Sequence, residues 1–238
     1  MYVSMGNDRK DHKLPRFKRE EKMSRTLSIE IETLTPLWTA GANSRKMDRL
    51  HETGIIGSLR WWYEAMIRGL GGNVKNHESG GCQFDADAYA KHPELPKRAR
   101  LKKAGLCDVC QLFGATGWKR RFNMEIGQGE KLFEAAEKDK ILLPSGRVHP
   151  GKKGPRAGGW FLMPDSVTGK NIPLTFRFTD PEDAEKMKIL LSLIERHGTL
   201  GAKKASGNGV VRFRLKNNGS LAPSPVSTVF PWATSARV

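Results

Sequence analysis

Two cysteines two residues apart, Cys107 and Cys110, carry the clearest chemistry in the chain. Thiolates at that spacing can face one tetrahedral ion, and C-x-x-C is a usual half of a zinc site. Cys82 lies upstream of the pair, with His77 five positions before it. Together His77, Cys82, Cys107 and Cys110 predict a closed Cys3His structural zinc site, with His92 as the alternative fourth ligand. No H-E-x-x-H signature accompanies them, which argues against a zincin-type catalytic zinc. The other reactive candidate is Asp48, set among Arg45, Lys46, Arg49 and His51 in the polar stretch 39–53. A carboxylate there can deprotonate a ribose 2′-OH or hold a divalent cation, while the flanking cations stabilise a phosphorane. A lone loop aspartate is more often structural or paired with an arginine. No Ser-His-Asp or Cys-His arrangement is readable.

Three further stretches suit a phosphate chain. Gly57 and Ser58 stand just before an apolar run, so Ser58 is the expected N-cap of a helix whose free N–H groups, with Arg60 beside them, make an anion site. In 198–209, Lys203, Lys204, Ser206 and Asn208 are set between glycines, which let a backbone approach phosphate closely. This stretch follows a helix and precedes a strand and lacks G-x-x-x-x-G-K-[ST], so it is not a nucleotide P-loop. Lys119, Arg120 and Arg121 form a third basic group on an expected strand, 118–126.

The whole chain shares this bias. Its 41 Lys and Arg against 25 Asp and Glu leave a formal charge of +16 over 238 residues. That excess fits nucleic acid first, then an anionic membrane or an acidic partner. The 38% hydrophobic content supports a packed core. No apolar run is long enough for a membrane span, and no secretory segment is visible, so a soluble cytoplasmic protein is expected. Three cysteines suit a reducing compartment and a metal better than a disulfide framework.

The elements that must position these residues follow from periodicity. Residues 1–24 read as a disordered basic arm, either a solvated leader or an RNA contact. Leu27, Ile29 and Ile31 alternate with polar residues and predict a half-buried strand. Leu59, Trp62, Tyr63, Met66, Ile67 and Leu70 predict a helix ended by Gly71 and Gly72. Residues 72–117 form an insertion that carries the zinc ligands. A short helix is expected over 131–138. Strands are expected over 160–163 and 172–178, with a hairpin turn around Asp165 to Lys170 as one way to pair them. A second helix has Asp180 as N-cap and Pro181 at its first position. A last strand over 210–215 precedes an extended tail, 217–238. The order gives an α+β, ferredoxin-like (βαββαβ, RRM-like) domain at 25–216 with large insertions. The RNP aromatic pattern of the RNA-recognition module is absent.

Four segments carry a resemblance. They are Leu34-Thr35-Pro36-Leu37-Trp38-Thr39-Ala40-Gly41, Ile56-Gly57-Ser58-Leu59-Arg60-Trp61-Trp62, Cys110-Gln111-Leu112-Phe113-Gly114-Ala115-Thr116-Gly117, and the glycine-rich loop at 198–209. In this order they resemble the RAMP superfamily of CRISPR effector subunits, and are most similar to the first RAMP subunit of the type III-B Cmr complex. The resemblance implies a ferredoxin-like fold, contact with crRNA or target RNA, and assembly with other effector subunits in antiviral defence. The size departs from it: the Cmr subunit usually has two ferredoxin-like halves, and this chain has material for one. Backbone relatives carry a cleaving aspartate in the loop after the first strand, where Asp48 falls, although its neighbours match that pattern poorly. Two functions are therefore expected to compete. One is an RNA-binding structural subunit of a ribonucleoprotein effector, and the other is a metal-dependent endoribonuclease using Asp48.

Overall fold

The computed structural model describes residues 25–41, 47–75, 81–131, 141–142, 148–151, 154–157, 159–160, 166–216 and 221–233. Expectations for Arg45, Lys46, His77, the arm 1–24, the helix beyond Lys131 (132–138) and the strand beyond Trp160 (161–163) lie outside the described residues.

Strand β1 (Arg25–Thr33) buries Leu27, Ile29 and Ile31 and turns Ser28, Glu30 and Glu32 to the other face. It leads to helix α1 (Glu52–Gly69). The short helices α2 (Ala86–Ala90), α3 (Lys97–Lys103) and α4 (Asp108–Phe113) occupy the insertion. They are followed by β2 (Phe122–Ile126), β3 (Ile172–Phe178), helix α5 (Pro181–His197) and β4 (Val211–Leu215). The four strands form one antiparallel sheet in the order β4-β1-β3-β2. A βαββαβ chain with its first and third strands at the centre is the ferredoxin-like arrangement, as the order of elements predicted.

Helices α1 and α5 cover one face of this sheet. Ile55, Leu59, Tyr63 and Ile67 of α1, and Ala184, Met187, Leu190, Leu191 and Ile194 of α5, meet the inward residues of the strands. Each large apolar side chain buried this way contributes about 1.5–3 kcal/mol relative to exposure. Asp180 caps α5 as expected, its carboxylate accepting from the Glu182 N–H at 3.1 Å.

Local expectations differ at four places. Helix α1 starts at Glu52, not after Ser58, and His51 is its N-cap residue. The completely buried Ile55 extends the apolar stripe one turn back, which outweighs the roughly 1 kcal/mol that a mid-helix glycine such as Gly57 costs. Of the helix expected over 131–138, the one described residue is Lys131. It is paired in strand with Val167, in a two-stranded ribbon of Glu130–Lys131 and Val167–Thr168. Trp160 pairs with Ile141 rather than forming a hairpin with β3. The third two-stranded pair joins Val148–Gly151 to Gly154–Ala157. In the tail, α6 (Val226–Val229) forms, Phe230 is buried, and the Trp232 ring lies 3.8 Å from the Arg98 guanidinium. No helix among the described residues is long and apolar enough to cross a membrane.

Candidate nucleic-acid interface and cysteine centre

Cys82, Cys107 and Cys110 gather at the base of the insertion, all three buried, with their sulfurs within 4.8 Å of one another. Cys107 is the N-cap residue of α4 and Cys110 lies within it, which puts both thiols on one turn. Gly105 makes the third contact geometrically feasible. Its φ is +88°, and a Cβ there would stand 2.5 Å from the Gln83 carbonyl oxygen. Only glycine fits, so the turn after α3 can close against the chain beside Cys82. The Cys107 N–H then points to the Cys82 sulfur at 3.4 Å.

This donor set fits a tetrahedral ion. Zinc–sulfur bonds of about 2.3 Å place thiolates about 3.8 Å apart, well inside the observed spread. The two neighbouring sulfurs of Cys107 and Cys110 draw the Cys107 thiol well below its ordinary range and push the Cys110 thiol up. A pocket of about 370 Å³ opens beside Cys82 and Cys107, lined also by Lys75, two residues before His77. His92 is engaged elsewhere, 3.3 Å from Glu94, and is not gathered with the three sulfurs.

Arg60 reaches this centre from α1. Its guanidinium donates to the Cys110 sulfur (3.3 Å), the Gly114 carbonyl (3.2 Å) and Glu64 (3.3 Å). The residue expected beside a phosphate is thus turned toward sulfur. A positive charge against a thiolate-rich site offsets its negative charge.

The glycine-rich loop is clamped from both sides. The Ala202 N–H donates to the Trp38 carbonyl, the Gly209 N–H to the Pro36 carbonyl, and the Gly201 N–H to the Ser58 hydroxyl (2.8, 2.9 and 3.1 Å). Gly209, at φ +89°, sits where a Cβ would lie 2.0 Å from the Leu200 carbonyl oxygen. The exit of β1, the first turns of α1 and the loop before β4 therefore meet. Ser58 is buried and serves this clamp rather than capping a helix. Asn208 is also buried, its amide donating to the Lys203 carbonyl at 3.4 Å. Ser206 closes the short turn by donating its N–H to the same carbonyl.

Two lysines project from the clamped loop. Lys203 holds the left-handed conformation (φ +61°) and its ammonium lies 5.2 Å from the Trp38 ring centre. The Lys204 ammonium lies 4.1 Å from the Trp61 ring and 5.3 Å from Trp62. Partial burial against these rings pulls the Lys204 ammonium below its ordinary pKa. Neither lysine has a carboxylate partner among the described residues. Trp61 itself is 55% exposed. The helical period already leaves it outside the apolar face of α1, so its outward position was readable from the spacing even though its role was not.

The remaining candidates are placed as follows. Asp48 is exposed, and its carboxylate lies 2.6 Å from His51 Nε2, a contact that holds it below the usual carboxylate range. Arg49 pairs with Glu52 at 3.1 Å. Lys119 is exposed. Arg120 donates to the Phe122 carbonyl at 2.9 Å, and Arg121 lies 3.8 Å from the buried Asp183. The structure thus turns Arg60, Arg120 and Arg121 inward and leaves Lys203, Lys204 and Lys119 outward.

With this geometry in hand, comparison with known proteins places the chain. The model of the RAMP superfamily matches residues 30–212. Among solved structures, a chain of a "Type IV-B CRISPR Complex" is similar at 15% identity and a TM-score of 0.50, over 89% of this chain and all of that one. Cmr1 from Pyrococcus furiosus, in its apo form, is similar at 16% identity and a TM-score of 0.42 over 82% of this chain, which spans 50% of the Cmr1 chain. A chain of the type III-B Cmr-beta complex bound to cognate target RNA is similar at 12% identity and a TM-score of 0.38, over 81% of this chain and 56% of that one. No curated protein matches. The family match reaches from the first strand into the last and takes in both long helices and the clamped glycine-rich loop, and the chain belongs to the RAMP superfamily.

Proposed function

We propose that the chain is an RNA-binding structural subunit of a CRISPR ribonucleoprotein effector, holding crRNA or target RNA without acting on it. The observation that carries this reading is the clamped loop. It presents Lys203 and Lys204, two cations with no carboxylate partner among the described residues, on a basic RAMP chain. Cations of this kind contact the phosphate track rather than base identity, as a protein holding variable guide sequences requires. Arg45, Lys46 and Arg49, in the stretch after β1, and Lys119 are further cations offered to the same RNA. Other effector subunits are the expected protein partners. The cysteine centre holds a structural zinc, with His77 as fourth ligand, and ties the insertion to α1 through Arg60. The test is binding of a single-stranded RNA across a salt series. About six neutralised phosphates give a slope of roughly −4 in log K against log[salt]. A salt-independent affinity would overturn the reading.

A second reading rests on the exposed Asp48–His51 pair in the loop after β1. There Asp48, with a divalent cation, would cleave bound target RNA. Asp48→Ala in the assembled complex, abolishing one cut with binding intact, would establish this reading. An unchanged cleavage pattern would remove it.

A further inference from the structure

The exposed side of α1 has an unusual composition around Trp61. Residues four apart are the neighbours along a helix face, and those flanking Trp61 are Gly57 and Ala65, both exposed. A Cβ added at Gly57 would meet nothing within 4 Å. Neither of these two positions puts more than a methyl group beside the indole. Its back is fixed. Trp62 packs edge-on against it, with ring centres 4.8 Å apart and planes at 89°. Trp62 is itself held by its N–H donating to the Thr199 carbonyl at 2.8 Å. Lys204 stands over the same ring at 4.1 Å.

We propose that Trp61 is a stacking platform for one unpaired nucleobase of single-stranded RNA, with Lys204 neutralising the phosphate of the same strand. The proposal rests on the RNA-binding reading and adds to it an aromatic contact with a base. An exposed, pre-positioned indole with small residues on its flanks offers a flat face at little entropic cost. Every base has a π-face, so such stacking is tolerant of sequence. Charge favours RNA over a protein occupant. Lys203 and Lys204 have no carboxylate partner among the described residues, and RNA supplies both a ring and a negative charge within one nucleotide. A protein surface would have to bring an apolar side chain and an acidic one together. The open face of the sheet, where RNA-recognition modules carry their stacking rings, has none here among its outward residues.

The test uses the full chain, freed of nucleic acid, with fluorescein-labelled U20 and an abasic oligomer carrying the same number of phosphates. Trp61→Leu weakens U20 binding about tenfold and Trp61→Phe by less than about twofold, as loss and retention of one stacked base require. Neither variant changes binding of the abasic oligomer. Because Trp61 is exposed, both variants keep the thermal unfolding midpoint of the parent. Trp61→Leu with parental U20 affinity, while Lys203→Ala/Lys204→Ala weakens it, overturns the platform alone. Trp61→Leu that binds U20 normally but no longer assembles with partner subunits overturns it in favour of a protein contact. Parent protein that binds neither oligomer overturns both the platform and the RNA-binding reading.

Discussion

On the open face of the sheet, three arginines of β3 and β4 are each met by a glutamate. Arg177 pairs with both oxygens of Glu125, and Arg212 and Arg214 reach Glu32 at 3.3 and 2.6 Å. The strand registers bring these partners within reach: Glu32 is directly opposite Arg212 and diagonal to Arg214, and Glu125 is diagonal to Arg177. Around them lie Ser28, Thr175 and Asn123, with no ring among them. At the clamped loop the pattern reverses. Lys203 and Lys204 face indoles instead of carboxylates, and an aromatic ring is exposed beside them. A cation neutralised by its neighbour releases few counterions when a polyanion arrives, whereas an uncompensated one releases them fully. One ferredoxin-like unit thus carries a sheet face that is neutral by construction and a loop face left charged. The second is where a nucleic acid gains most.

Substitutions in the scaffold, the loop face and the sheet face separate their roles. Chelation, or Cys107→Ser, releases the metal and lowers the thermal unfolding midpoint by about 10 °C, while the RNA salt slope is retained. This would separate the scaffold from the binding face. Elemental analysis showing metal-free parent protein of unchanged stability would contradict it. Lys203→Ala/Lys204→Ala weakens single-stranded RNA about tenfold and flattens the salt slope by about 1. Arg177→Ala/Arg212→Ala/Arg214→Ala leaves both within error, and equal effects from the two sets would erase the distinction between faces. Glu32→Gln frees two arginines and steepens the slope by up to about 1, turning the neutral face into a binding face. Its effect on stability stays within about 1 kcal/mol, as for exposed ion pairs, measured by urea unfolding. Asp48→Ala has the smallest effect, less than about twofold on affinity in the same titration, because a single exposed carboxylate leaves the lysines untouched.

Much of this architecture was legible in the residues. The alternation of Leu27, Ile29 and Ile31, the Asp180-Pro181 helix start and the C-x-x-C pair each report a local period or a local chemistry. The four-stranded topology and the meeting of three cysteines followed from them. What was not legible depends on tertiary contact. Ser58 has the chemistry of an N-cap, but burial of Ile55 carries the helix past it and the hydroxyl is used by Gly201. Arg60 has the chemistry of a phosphate ligand, yet the Cys110 sulfur and the Gly114 carbonyl lie fifty or more residues away in sequence and claim it. Asn208 sits among lysines and glycines and is still buried. For these polar residues, side-chain type gave the capacity to bond, and only the fold decided the partner.

Ultraviolet crosslinking of bound single-stranded RNA, with the crosslinked peptides identified by mass spectrometry, tests most directly which face is used. The account places the crosslinks at Trp61 and its neighbours on α1 and in the loop 198–209, with loss at the loop in Lys203→Ala/Lys204→Ala. Crosslinks concentrated on Ile172–Phe178 and Val211–Leu215, with α1 and the loop silent, would contradict it.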